Sequence, residues 1–118
     1  MTDDRSEARL AGQVMTDLTP AQLTPALRRA ELDATFTESR GDGAYVWLDG
    51  VGDADCAIMP YKPGVYLVCD AGGERGALED LARTLSAALA GMGIRHGLEL
   101  YDEARQMFAY LHLDWPLS

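Results

Sequence analysis

Lysine is nearly absent from this sequence: Lys62 stands alone among ten basic residues, and the other nine are arginines. Against those ten stand 19 acidic residues, a formal net charge of −9. A field of that sign repels phosphate backbones and anionic lipid, which excludes nucleic acid and membrane surfaces as natural partners. Histidine is almost as scarce. His96 and His112 are the whole supply, with no His-x-x-x-His pair to hold a metal and no Cys-x-x-Cys. Cys56 and Cys69 sit inside apolar runs and read as small buried hydrophobes of a reducing compartment, a bridge between adjacent strands being the rarer outcome there. No apolar run reaches the length of a membrane span, and the polar start Met-Thr-Asp-Asp-Arg-Ser-Glu lacks the apolar stretch of a signal peptide. The expected location is therefore cytoplasmic. Arginine with abundant Ala, Gly and Leu fits a high-GC bacterial coding sequence.

What is present is apolar material in quantity. Hydrophobic residues make up 47% of 118 positions, enough for a core and too much for a disordered chain. The length predicts a single domain over 1–118.

Periodicity predicts an α+β fold. Leu10, Ala11, Val14, Met15 and Leu18 follow helical spacing over 4–18. Thr19-Pro20-Ala21-Gln22 is a capping sequence, and Thr24-Pro25 repeats the signal, which predicts a break near 19–24 and a short helix from Thr24 to about Glu31. The period then changes to two. Strands are expected at 32–37, 44–49, 56–61 and 65–70, the last two joined by a type II turn at Lys62-Pro63-Gly64-Val65. Leu78, Leu81, Ala82, Leu85, Ala88, Leu89 and Met92 form one apolar stripe, the mark of a long amphipathic helix over about 74–92. Strands at about 96–101 and 106–114 close the chain as a C-terminal hairpin. The expectation is N-terminal helices, a mostly antiparallel sheet of five to six strands, and the long helix packed on one face.

Alternation sorts the strand residues into two sets. Val46, Leu48, Ile58, Val65, Leu67, Leu98, Leu100, Met107 and Leu111 form the floor expected beneath the long helix. The opposite parity carries Tyr45, Trp47, Tyr66, Phe108, Tyr110 and His112, rimmed by Asp33, Asp49, Asp70 and Asp114. Six rings beside carboxylates describe a contact surface, because Tyr and Trp anchor interfaces and carboxylates orient arginine or lysine. Two arrangements stay open at this level: the N-terminal helices cover that face, or they leave it free. A slip of one residue in register exchanges the faces.

Sites for other chemistry are weaker. His96 reads as a solvated residue at a strand end, and His112 as part of a strand face. The loop Asp49-Gly-Val-Gly-Asp53-Ala-Asp55 lacks the ligand spacing of a calcium loop and reads first as a solvated, charge-rich turn; the alternative is contact between its aspartates and a partner's arginines. Asp70-Ala-Gly-Gly-Glu-Arg-Gly76 joins a strand to a helix but matches no phosphate-binding glycine pattern, and Glu74 stands where the anion would sit. No catalytic residue, cofactor or metal is expected.

The composition thus predicts a bacterial, acidic, stoichiometric protein-binding module, concretely an immunity or inhibitor protein that blocks a basic partner. Its contact residues would be Tyr45, Trp47, Asp49, Asp53, Asp55, Tyr66, Phe108, Tyr110 and His112. In element order the chain is similar to small acidic type III secretion chaperones, which implies a chaperone or adaptor as the second reading. Those proteins add a dimerisation helix after the last strand, for which no room is expected beyond Trp115. A homodimer would favour the adaptor and a monomer the inhibitor. A small-ligand or enzymatic domain using the Gly72-Gly73 turn with a histidine is the third.

Overall fold

The structure, a computed structural model, describes residues 8–39, 43–50, 54–70 and 73–113. Seven strands and two helices follow in the order β1 (Arg9–Met15), α1 (Pro20–Arg29), β2 (Asp33–Ser39), β3 (Gly43–Asp49), β4 (Asp55–Lys62), β5 (Val65–Asp70), α2 (Arg75–Gly91), β6 (Arg95–Tyr101) and β7 (Met107–Leu113). All strands join one sheet in the order β2-β3-β4-β5-β1-β6-β7, and every neighbouring pair is antiparallel. The α+β class holds, with one strand more than the five to six expected.

The extra strand is the main correction. Residues 9–15 were expected to be helical and instead form β1, between β5 and β6. The ambiguity lies in the spacing: Leu10 and Val14 are four apart, which satisfies a helical stripe and a strand face alike. Gly12 between them is the discriminating residue. A Cβ there would lie 2.4 Å from the carbonyl oxygen of Gly97 on β6, so the position needs a residue without one.

The second correction concerns α1. It starts at Pro20, not Thr24. Thr19 caps it, accepting from the Gln22 amide while the Gln22 side chain accepts from the Thr19 amide. That reciprocal box satisfies two orphan donors, and Pro20 at the first position loses none. Pro25 lies inside the helix and sacrifices one backbone bond without ending it. The Thr24 hydroxyl donates to the Pro20 carbonyl at 2.8 Å.

Other elements match their sequence signals. Gly64 has φ of +79°, the value a type II turn requires at its third residue, and the β4–β5 hairpin closes across it. Glu74 caps α2, its carboxylate accepting from the amides of Gly76 and Ala77 at 3.1 and 3.0 Å. The first-turn amides that might have cradled a phosphate are therefore occupied by the chain's own anion.

Topology decides where the helices go. Because neighbours alternate in direction, β1 and β2 are parallel, as are β5 and β6. The first crossover runs toward one edge and the second toward the other, but from strands of opposite direction. Right-handed connections, the near-universal rule, then put both helices on the same face. Leu23 and Leu27 of α1 accordingly share one core cluster with Leu78, Leu81, Leu85 and Leu89 of α2 and with Leu10, Val14, Val46, Leu48, Ile58, Val68, Leu98 and Leu100 of the sheet. Among the described residues, no helix lies on the other face. Among those residues, too, no helix is long and apolar enough to cross a membrane.

Candidate functional site

The face away from the helices carries the side chains of alternating positions on each strand. Register places Thr35 on β2 opposite Trp47 on β3, and Trp47 opposite Ala57 on β4. Leu67 and Cys69 on β5 flank Ala11 and Gln13 on β1, which in turn flank Glu99 and Gly97 on β6. Glu99 faces Tyr110, and Gly97 faces His112. The middle of this open face is thus built from small or slender side chains, and large rings stand at its two ends. From β3 to β7 there are five strand spacings, or about 24 Å.

Four of the six expected rings are on this face. Tyr45 and Trp47 form one group; Tyr110 and His112 form the other, stacked with centroids 4.8 Å apart. Tyr66 is not among them. Its side chain is buried on the helix side, where its hydroxyl donates to the Leu18 carbonyl and ties the β1–α1 connection to the sheet. Burial alone pushes its phenol above the ordinary tyrosine range. The cause of the reversal is register in β5: Val68 pairs with Ile58 and Tyr66 with Pro60, and an irregularity falls between Pro60 and Lys62. Leu67, expected in the floor, turns outward for the same reason. Phe108 is also displaced. The register shift between Leu100 and Tyr101 turns its half-buried ring against the core, with the Arg75 guanidinium 3.9 Å from the ring centroid. Met107, likewise expected in the floor, is 44% exposed.

The acidic residues fall into an order the sequence did not reveal. Asp33 on β2 pairs in register with Asp49 on β3, and Asp49 with Asp55 on β4. Three aspartates therefore sit side by side across three strands, at the same end of the open face as Trp47. The Trp47 indole N–H donates to the Asp49 carboxylate at 2.9 Å, which holds the ring beside the row. Around the end of the sheet, Glu31, Asp33, Asp49 and Asp80 line a cleft of about 340 Å³ that opens between the helix ends. Gly50, whose amide donates to the Ala54 carbonyl at 2.7 Å, closes the base of the β3–β4 loop. Asp53 and Asp114, also expected to contribute, lie outside the described residues.

The β6–β7 end has a different character. Tyr101 donates its hydroxyl to Glu99 at 2.8 Å. That hydrogen bond, then burial and the carboxylate charge, holds its phenol above the usual range. Tyr110, opposite Glu99, is raised by burial and by the same charge. Between Tyr110 and Leu67 lies a depression of about 310 Å³, floored by Ala11, Gly12 and Gly97 and flanked by Cys69. Cys69 is exposed and Cys56 buried. The two lie on opposite faces of adjacent strands, so no bridge joins them.

The histidines part company. His112 is exposed on the open face, as expected. His96, expected to be solvated, is fully buried beneath α2. Its Nδ1–H donates to the Ile94 carbonyl at 2.9 Å, leaving Nε2 to accept from the Ser86 hydroxyl at 2.7 Å. A serine against an imidazole is the arrangement from which nucleophiles are activated. Here the ring is sealed, and neither residue lines the acidic cleft or the open-face depression. The pair joins α2 to the sheet. Among the described residues, no group of three His, Cys, Asp or Glu side chains is arranged to hold a metal ion.

No protein-family model matches the chain, and no curated protein is significantly similar to it.

Proposed function

We propose that this chain is a stoichiometric protein-binding module that takes up a basic partner on its open sheet face, acting as an immunity or inhibitor-type protein. One observation carries the reading: three aspartates stand directly opposite one another across β2, β3 and β4, beside an indole. Like charges in register destabilise a sheet. A partner's arginine or lysine side chains would find closely spaced carboxylates there, and the Trp47 ring would supply the desolvated anchor beside them. The cleft lined by Glu31, Asp33, Asp49 and Asp80 extends the same chemistry around the sheet end. A net charge of −9 would add long-range steering. Within the nine contact residues expected from sequence, the reading keeps Tyr45, Trp47, Asp49 and Asp55, leaves Tyr110 and His112 on uncharged β7 outside the contact, and makes no use of Asp53, which lies outside the described residues. It releases Tyr66 and Phe108.

The test is made on the complex with any basic protein that a neighbouring gene is found to encode. Replacing Trp47 with Ala should weaken the purified complex by at least about tenfold, the cost of losing an anchor, with the thermal transition of the free chain retained. Affinity should fall steadily with added salt. Full affinity in Trp47→Ala, or indifference to salt, removes this surface from the account.

A chaperone or adaptor is the second reading, and one feature favours it. The uncharged edge strand β7 offers a route to self-association, the property that separates an adaptor from a monomeric inhibitor.

A further inference from the structure

Edge strands expose a row of unpaired backbone donors and acceptors, and proteins usually blunt them with charge or proline. The two edges of this sheet differ in that respect. β2 carries Asp33 and Glu38. β7, with the sequence Met-Phe-Ala-Tyr-Leu-His-Leu, carries no Asp, Glu, Lys, Arg or Pro. Every other strand of the sheet, including the central ones, holds at least one charged residue. The least protected sequence thus occupies a most exposed position. Among the described residues, no strand pairs with its outer side.

We infer that β7 is a homodimerisation edge, pairing antiparallel with β7 of a second copy so that two seven-stranded sheets become continuous. Charge selects the occupant. A basic partner gains nothing from a strand without carboxylates, whereas two copies at −9 each need a place to meet where no carboxylates oppose. β7 is that place. Its irregularity lies toward the Met107 end, which leaves 109–113 regular. A two-fold axis through Leu111 sets Leu111 against Leu111, Ala109 against Leu113, and Tyr110 against His112 of the other copy. Each copy already stacks Tyr110 on His112, so the dimer would carry a row of four rings across the junction, the kind of cross-strand pair that stabilises sheets. The Asp33-Asp49-Asp55 row lies toward the opposite edge, away from the junction, in both copies. The inference does not rest on the basic-partner reading, and a homodimer would favour the adaptor over the monomeric inhibitor.

Sedimentation of the purified full chain at about 100 µM, where micromolar association is populated, tests it. A species of twice 12.8 kDa is expected, and its dissociation constant should decrease with salt, because screening reduces repulsion between like-charged copies. This trend is opposite to that of a complex with a basic protein. Tyr110→Lys should weaken the dimer by about tenfold or more, and Thr35→Lys on the other edge should leave it unchanged. Mixing Tyr110→Lys with His112→Asp should restore a heterodimer, a recovery that a misfolded variant would not show. A monomer at every concentration and salt overturns the inference. So does a dimer that tolerates Tyr110→Lys, loosens with salt, or fails the mixing rescue.

Discussion

The two faces of the sheet are made from the same strands, yet they answer to different constraints. On the helix face, Val46, Leu48, Ile58, Leu98 and Leu100 are fully buried beneath α1 and α2. On the open face, Trp47, Leu67 and Tyr110 are half-exposed, and Cys69 and His112 are exposed. The first face is chosen by packing, where a lost methylene leaves a cavity. The second carries three like charges in register, Asp33, Asp49 and Asp55.

The largest expected effect contrasts the faces directly. Leu85→Ala in α2 removes a fully buried side chain and should cost about 2–5 kcal/mol in denaturant unfolding. Leu67→Ala on the open face should cost less than about 1 kcal/mol. Equal losses would mean that the open face is covered in solution.

A smaller effect runs the other way. Asp49→Asn breaks the aspartate row while leaving an acceptor for the Trp47 indole. It should stabilise the chain by a few tenths to about 1 kcal/mol, a gain that shrinks with salt, and it should weaken a basic partner. Opposite signs for stability and affinity would separate functional charge from structural charge. A destabilised variant would instead assign Asp49 to the fold.

The smallest effect lies at the β6–β7 end. Glu99→Gln removes the carboxylate that accepts from Tyr101 and faces Tyr110. Both phenols should then ionise earlier, Tyr101 most, in an ultraviolet titration. An acid held above its ordinary value keeps its proton longer folded than unfolded. It therefore leaves stability intact below the ordinary tyrosine value of 10.0 and erodes it as pH rises past that point. The variant should soften that alkaline decline. An unchanged Tyr101 titration would detach Glu99 from it.

Much of this was legible in the residues. The apolar stripe from Leu78 to Leu89 specified α2, because only a helix aligns that spacing. Lys62-Pro63-Gly64-Val65 specified the hairpin through proline's fixed φ and glycine's positive one. Trp47 and Asp49 were recognisable as a pair on one strand face, since positions two apart project alike. Residues 9–15 carry no such mark, because Leu10 and Val14 fit two periods at once and only the approach of β6 to Gly12 distinguishes them. Simple alternation puts Tyr66 and Phe108 on the open face, and an irregularity in pairing exchanges sides without any mark in that pattern.

By itself the sequence determined the elements that repeat a period or carry a turn signal, together with a net charge that repels anionic partners. Those are local properties, set within a few residues. The tertiary structure alone decided which strands lie together, and hence that Asp33, Asp49 and Asp55 stand in one row and that uncharged β7 is an edge. It also decided that both helices share a face, because two crossovers of one hand, taken from strands of opposite direction, close over the same side of the sheet.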